Sequence, residues 1–448
     1  MSHFKPYPSY KNTGIEWLGR LPPHWDVKRL RFAAIPKNSN VDKKSYEGQQ
    51  EVRLCNYTDV YYNATISADL EFKPSTASDE EVQDFSLRAG DVIITKDSET
   101  ADDIGIPAYV PETLPGVVCG YHLTILRSHG VDGEYLFRLF QTHLTKAYFF
   151  VEVSGVTRFG LSQDAIKNVA VPIPSKAEQR VITQHLSSET ARIDALVAKK
   201  TRFIELLREK RQALITHAVT NGLDPNVKMK GSGVEWLGEV PEHWRVIPLK
   251  WDLSFLTSGS RGWAENYADD GALFIRIGNL TRASFELDLS DIQRVAVPDG
   301  AESERTKVRP GDLLFSITAY LGSVALIPSS LEPAYVSQHV ALARLSGRVL
   351  TPTWAGYVAL SWVGKAYLEA QGYGGTKIQL SLDDIANLIM TAPPIDEQLA
   401  IANYLNGEVP RINTLITKTE RSIDLLKERR AALITAAVTG QIDLREAA

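Results

Sequence analysis

The stretch EQRVITQHLSSETARIDALVAKKTRFIELLREKRQALITHAVT, Glu178 to Thr220, returns as EQLAIANYLNGEVPRINTLITKTERSIDLLKERRAALITAAVT, Glu397 to Thr439, with 22 of 43 positions identical. The offset is 219 residues. Apolar residues recur at steps of three, four and seven, as Ile193, Leu196, Phe203, Leu207, Leu214 and as Ile412, Leu415, Leu426, Leu433. That spacing draws an apolar stripe along a helix. Ser175 and Glu178 form a capping box at its start, where the hydroxyl takes an orphan backbone N–H and the carboxylate reaches back. Asn221-Gly222 and Gly440 supply the helix ends. Ser187-Ser188 and the pair Gly407 and Pro410 predict a break inside each segment. What remains is a helix of roughly 30 residues, about 45 Å long at 1.5 Å per residue.

Working outward, GIEWLGRLPPHWDVKRL, 14 to 30, matches GVEWLGEVPEHWRVIPL, 233 to 249, at the same offset, with ten of seventeen positions identical. Between these anchors the matches are short and slide in register. Arg53 and Asn56 align with Arg276 and Asn279 at 223, LRAGDVIIT (87–95) with VRPGDLLFS (308–316) at 221, and His122 with His339 at 217. The chain is a tandem duplication whose loops changed length inside a kept frame. The expected organisation is a first body over 1–175, a helical segment over 176–222 and a linker over 223–232. A second body over 233–393 and a second helix with a tail over 394–448 follow. Runs such as DVIIT, HLTIL, ALFIRI and DLLFSI read as strands between Gly, Pro and Asp turns. YLFRLFQTHLTKAYFFVEV and WAGYVALSWVGKAYLEAQ have helical spacing, predicting a helix on each sheet. The fold class is therefore α+β, written twice.

A lone amphipathic helix of this length has to cover its stripe, and its duplicate is the obvious cover. Antiparallel pairing would relate the bodies by a pseudo-two-fold axis and throw them to opposite ends. Duplex DNA has such axes perpendicular to its own, and the helix length covers major-groove faces about 34 Å apart. Charge placement is compatible: 192–211 hold seven Lys or Arg against three acids, and 411–430 hold six against three. A solvated helix face explains this charge somewhat better than phosphate tracking does. The full chain has 448 residues, 44% apolar, with 49 basic and 54 acidic residues and a formal charge of -5, so net charge selects no partner. No apolar run is long enough to cross a membrane, and the opening MSHFKPYPSY lacks the apolar core of a signal peptide. A cytoplasmic protein is the expectation. Cys55 and Cys119 are too few for a disulfide scaffold or a thiolate zinc site.

Catalytic motifs are missing. There is no NPPF- or DPPY-like tetrapeptide to hold an extruded adenine and no GxGxxG cofactor turn. GYGGTK, 372–377, lacks the order of a phosphate loop, and Pro298-Asp299 with Glu302 and Glu304 lacks nuclease spacing. His24 and His243, beside Trp25 and Trp244 in Pro-rich turns, read as packing residues. No catalytic residue, cofactor site or metal site is assigned.

The GIEWLG…PPHW and GVEWLG…PEHW openings, the EQ-started helices and their ALITHAVTNG and ALITAAVTGQ endings resemble the specificity subunit of type I restriction-modification systems, over nearly the whole chain. The resemblance implies double-stranded DNA as the ligand, with one half of a bipartite target read by each body. It also implies two adenine methyltransferase subunits and restriction/translocase subunits as partners. S-adenosylmethionine, ATP and magnesium then belong to those partners, and this chain is a recognition subunit rather than an enzyme. DNA contacts are sought on loops and strand ends of the bodies. Thr157 and Arg158 in SGVTRFGLS match Thr376 and Lys377 in GYGGTKIQLS, and Lys96 stands opposite the Ser316 region. Arg53 and Asn56 with Arg276 and Asn279 are residue types that read guanine and adenine, though their presence in both copies points to structure or backbone binding. Lys73 and Arg282, which differ between copies, are candidate base readers. A second reading, from another class, is a protein-binding scaffold whose coiled coil spaces two ligand-binding bodies.

Overall fold

The computed structural model describes residues 5–374 and 378–445. They form two compact units, 1–200 with 421–448 and 201–420. Neither coincides with one sequence repeat, because each takes helix segments from both copies.

The first unit carries a four-stranded antiparallel sheet in the order Ala34–Asn38, Leu123–Ser128, Val92–Thr95, Pro107–Tyr109. The second repeats it with Leu253–Ser258, Val340–Leu345, Leu313–Ser316 and Val324–Leu326. Successive residues feed opposite faces. Val92, Ile94 and Leu126 enter the core under the helices, while Ile93, Leu123 and Ile125 enter a second core. That second core lies under a smaller sheet, where Gln50–Cys55 runs parallel to Val117–Cys119 and antiparallel to Lys73–Ala77. The turns RAGD and RPGD precede Val92 and Leu313 as expected, with Gly90 at φ 88° and Gly311 at φ 85°. In each turn the Asp is buried and grips an arginine of the neighbouring strand, Asp91 with Arg127 and Asp312 with Arg344.

Each helical stretch of the bodies is two helices, where one was expected. Gly133–Phe140 is followed by His143–Glu152, and Pro352–Leu360 by Trp362–Gln371. Thr142 and Ser361 break them by capping: their hydroxyls accept the N–H of Thr145 and Gly364.

The two long helices also differ from expectation, being unbroken over Lys176–Asn221 and Ile395–Val438. Ser187 is held in register by Arg138, whose guanidinium donates to its hydroxyl at 3.0 Å, and it donates to Glu134. Pro410 lies on the exposed face and removes one helical N–H, a cost of about 3 kcal/mol. The buried Leu405, Val409 and Ile412 around it keep the helix running. The seam follows strict alternating steps of three and four, 193, 197, 200, 204, 207, 211, 214 in the first helix and 409, 412, 416, 419, 423, 426, 430, 433 in the second. Leu196, Phe203 and Leu415, assigned to the stripe from sequence, are exposed; Val197, Ile204 and Ile416 take their places.

The helix segments pair antiparallel within each unit. In the second unit Arg208 meets Glu420 at 3.0 Å while Arg211 meets Asn413. In the first, Arg430 meets Asp194 at 3.0 Å, and Ile182 and Leu186 share a core with Leu433 and Val438. Arg211 and Arg430 are repeat equivalents on the seam, and Asn413 and Asp194 are repeat equivalents beside it. The second unit thus has an amide where the first has a carboxylate.

Helix ends close the bodies. Gly440, at φ 64°, lies against Pro22 and Trp25, and Gly222, at φ 77°, against Trp244. A Cβ on Gly440 would sit 2.5 Å from Pro22 Cδ. Gly440→Ala is expected to lose about 2 kcal/mol from the left-handed backbone and this clash, read as a lowered urea midpoint at unchanged m. Residue 178 is the second closure. The Glu178 carboxylate accepts from Ser175 at 2.9 Å, Trp25 Nε1 at 3.4 Å and His24 at 2.8 Å, and Glu397 meets His243 and Trp244 in the same way. His24 and His243 are packing residues in this arrangement. Burial pushes the Glu178 carboxyl up, but the hydrogen bonds outweigh it and hold it below the ordinary carboxylate value. A depressed folded value gives stability that is present above the unfolded pKa and is lost as pH falls through the folded one. Glu178→Gln should therefore cost about 1–2 kcal/mol at neutral pH, with the gap to the unsubstituted chain closing in acid, measured by urea unfolding at both pH values.

Candidate nucleic-acid interface

In the first unit the strand Val92–Thr95 runs out into Lys96 and Asp97 beside His122, which precedes the strand Leu123–Ser128. The N–H of Lys96 donates to His122 O at 3.1 Å, and the N–H of Leu161 donates to Lys96 O at 2.8 Å. The short strand Phe159–Gly160 pairs with Asp97–Ser98, which hangs the glycine-containing loop with Thr157 and Arg158 over these strand ends. An open cleft of about 850 Å³ results, lined by Asn56, Tyr57, Tyr61, Asp97, His122 and Arg158 among others.

Its chemistry is mixed. The Arg158 guanidinium lies 3.2 Å from both ring nitrogens of His122, and His122 Nδ1 is 2.7 Å from the Asp97 carboxylate. Tyr57 and Tyr61 stack with centroids 5.6 Å apart. The Tyr61 hydroxyl donates to Asp103 at 2.6 Å, and this bond with the Asp103 charge pushes its pKa up to about 12, so it stays protonated. Lys43 stands 5.8 Å from the Tyr121 ring. Cations suit phosphates, aromatic faces suit bases, and carboxylates suit exocyclic amino groups. Asn56 spends its Nδ2 on Leu54 O at 3.2 Å, and its Oδ1 is buried without a partner.

Unit two keeps the same backbone frame with different side chains. The N–H of Ile317 donates to His339 O at 3.1 Å, and the N–H of Leu380 donates to Ile317 O at 2.9 Å. Ile317 and Thr318 thus stand where Lys96 and Asp97 stand in the first unit. Thr376 and Lys377 lie outside the described residues. Asn279 is 4% exposed, its Nδ2 donating to Asp288 O at 2.8 Å and Asp291 O at 2.9 Å. Ser316 is 1% exposed and donates to Thr318 O at 2.8 Å. Arg276 pairs with Asp291 at 2.9 Å, and Arg282 pairs with Glu369. At the tip, Ala319 holds φ 61°, a left-handed conformation costly for a residue with a Cβ, and Tyr320 is exposed beside it.

Arg53 and Lys73 are apart from the first cleft, on neighbouring strands of the smaller sheet. The Arg53 guanidinium donates to Pro115 O at 2.8 Å, and Lys73 stands opposite Leu54. The structure therefore brings Asn56, Lys96, Thr157 and Arg158 to one end of the first sheet. Sequence reasoning missed Tyr57, Tyr61 and Ala319; the YTDVYY run, with aromatics four apart on one helix, was the available signal for the tyrosines. Among the described residues there is no group of three or more His, Cys, Asp or Glu that could hold a metal, and no helix is long and apolar enough to cross a membrane.

Residues 27–206 match the model of a family described as the type I restriction modification DNA specificity domain. The type I restriction enzyme EcoKI specificity subunit of Escherichia coli K12 is 22% identical, covering 95% of this chain and 90% of its own length. A solved chain from work on complex assembly and conformational transition of the type I R-M system aligns with TM-score 0.67 and 18% identity, covering 94% of this chain and 99% of that one. The HsdS subunit of Thermoanaerobacter tengcongensis aligns with TM-score 0.52 and 18% identity, covering 94% and 98%. The resemblance read from the repeated openings and helices holds in both comparisons, and the solved chains share the fold.

Proposed function

We propose that this chain is the DNA-recognition subunit of a type I restriction-modification complex, with each unit reading one half of a bipartite target. One observation carries the reading: the backbone frame at the strand ends is the same in both units, while the side chains on it differ. Lys96, Asp97 and Arg158 occupy the first, and Ile317, Thr318 and an exposed Tyr320 the second. A shared frame with unlike groups suits two surfaces that meet the same kind of ligand with different letters. Of the residue candidates, Lys96, Thr157 and Arg158 are best placed for the first half-site. Lys377 is the matching candidate for the second. Asn279 and Ser316, both buried, support their loops.

Catalysis belongs to partners in this reading, two adenine methyltransferase subunits together with restriction/translocase subunits, in the cytoplasm. Equivalent apolar positions support docking of two copies of one partner. Phe32, Leu196 and Leu425 are exposed in the first unit, and their repeat equivalents Trp251, Leu415 and Leu206 are exposed in the second. Methylation mapping tests the assignment. DNA from cells expressing the chain with its methyltransferase should carry modified adenines in a bipartite sequence that is unmodified when the chain is deleted. Unaltered modification after deletion would reject it.

A further inference from the structure

A second concavity of the first unit lies at the opposite ends of the same strands. Arg88 and Asp91 precede Val92, and Ser128 and His129 follow Arg127, whereas Lys96 and His122 stand at the far ends. The four residues of Val92–Thr95 separate the two sites by about 13 Å of strand. The cleft has a volume of about 380 Å³ and gathers Arg88, Arg127, His129, Lys176 and Arg180. Its two carboxylates are already used: Asp91 accepts from Arg127 at 3.0 and 2.9 Å, and Asp132 accepts the N–H of Tyr135. Arg88, Lys176 and Arg180 are exposed and in no ion pair among the described residues. Ser128 Oγ, also in the lining, is buried without a hydrogen-bond partner, a group that an incoming acceptor would satisfy.

The second unit shows what the corresponding loop holds when it is filled from within. Asp252 is 1% exposed and accepts from the Ser346 hydroxyl and from the N–H groups of Arg348 at 3.1 Å, Val349 at 3.3 Å and Leu350 at 2.9 Å. In the first unit Asp252 is replaced by Ala33, and Ser346, Ile395 and Leu399 are replaced by His129, Lys176 and Arg180. At these four positions one copy has its own carboxylate and an apolar rim, and the other has a histidine, two cations and no carboxylate. We infer that the cleft of Arg88, Ser128, Lys176 and Arg180 binds the phosphate group of a small soluble phosphate compound, at a site separate from the DNA-reading cleft. Three cations around one oxyanion and a free hydroxyl are the recognition elements of a phosphate.

Calorimetric titration of the full chain with inorganic phosphate and with AMP tests this. One saturable site is expected. Arg88→Gln/Lys176→Gln/Arg180→Gln should weaken it about a hundredfold or more, and Ser128→Ala about tenfold, since a hydrogen bond to a charged group is worth about tenfold or more. Lys96→Gln/Arg158→Gln should leave phosphate binding unchanged, and the triple variant should bind duplex DNA normally. If the triple variant instead loses phosphate and duplex together, and duplex displaces phosphate, the same site takes its phosphate from the DNA backbone. Absence of saturable phosphate or AMP binding, or equal binding by the triple variant and Ser128→Ala, overturns the site. The three cations are exposed, so the variants should keep the parent's unfolding midpoint; should the triple variant misfold, Ser128→Ala and Arg180→Gln alone decide.

Discussion

Asp312→Ala is expected to cost the second unit about 3 kcal/mol, enough to populate its unfolding at temperatures where the first unit is still folded. The carboxylate is 1% exposed and accepts from Arg344 Nε and Nη2, both at 2.7 Å, and from the backbone N–H of Arg309 at 2.7 Å. Removing it strands a largely covered guanidinium and an orphaned turn N–H, and breaking one side of such a pair costs far more than the pair's net worth. Arg344→Met, which removes the cation while keeping an apolar stem against Phe255, should cost about as much, because it leaves the 1% exposed carboxylate with only the Arg309 N–H. Hydrogen exchange by residue checks this. Protection should fall across 201–420 in the alanine variant and much less across 1–200. Equal loss in both units would mean that the turn is not the local staple its geometry implies.

Lys96→Gln/Arg158→Gln is the substitution with the largest expected effect on ligand binding. Each cation that leaves a phosphate lowers the slope of log affinity against log salt by about 0.9, so a pair should flatten it by about 2. Affinity for duplex at low salt should fall about ten- to a hundredfold. The Arg158 guanidinium lies beside the His122 ring nitrogens, and Lys96, whose ammonium donates to Ser39 O at 3.4 Å, is fixed also through its own N–H and C=O, so both side chains can be shortened without removing the frame. Duplex titrations over a salt series would show it. An unchanged slope would move the phosphate contacts elsewhere, and a slope near zero in the parent chain would favour a scaffold that binds something other than DNA.

The duplication was fully legible because the helices and the WLG openings kept their letters, and the strands were legible because DVIIT and DLLFSI carry both-face apolar runs between glycine turns. The seam of the helices was misread by one residue at Leu196, Phe203 and Leu415. Larger apolar side chains drew the eye, while the true seam includes Lys200 and Arg211, polar residues that a stripe of leucines does not announce. Helix continuity through Pro410 was illegible for another reason: a local breaker is overruled by burial of residues on the opposite face, which only the packed structure supplies. In the cleft, Arg158 and Lys96 could be nominated from a glycine-containing loop and a strand end. The approach of Arg158 to Tyr57 and Tyr61 depends on two sheets meeting, and 97 to 101 residues of sequence separate it from them.

The claim beneath all of this is that each unit reads its own half of one DNA target. Exchange of residues 30–175 for the corresponding body of a relative, followed by single-molecule methylation mapping in cells that supply the methyltransferase, tests it directly. The altered chain should methylate a sequence in which one half is new and the other half and the gap between them are retained. New letters in both halves, or none in either, would contradict it.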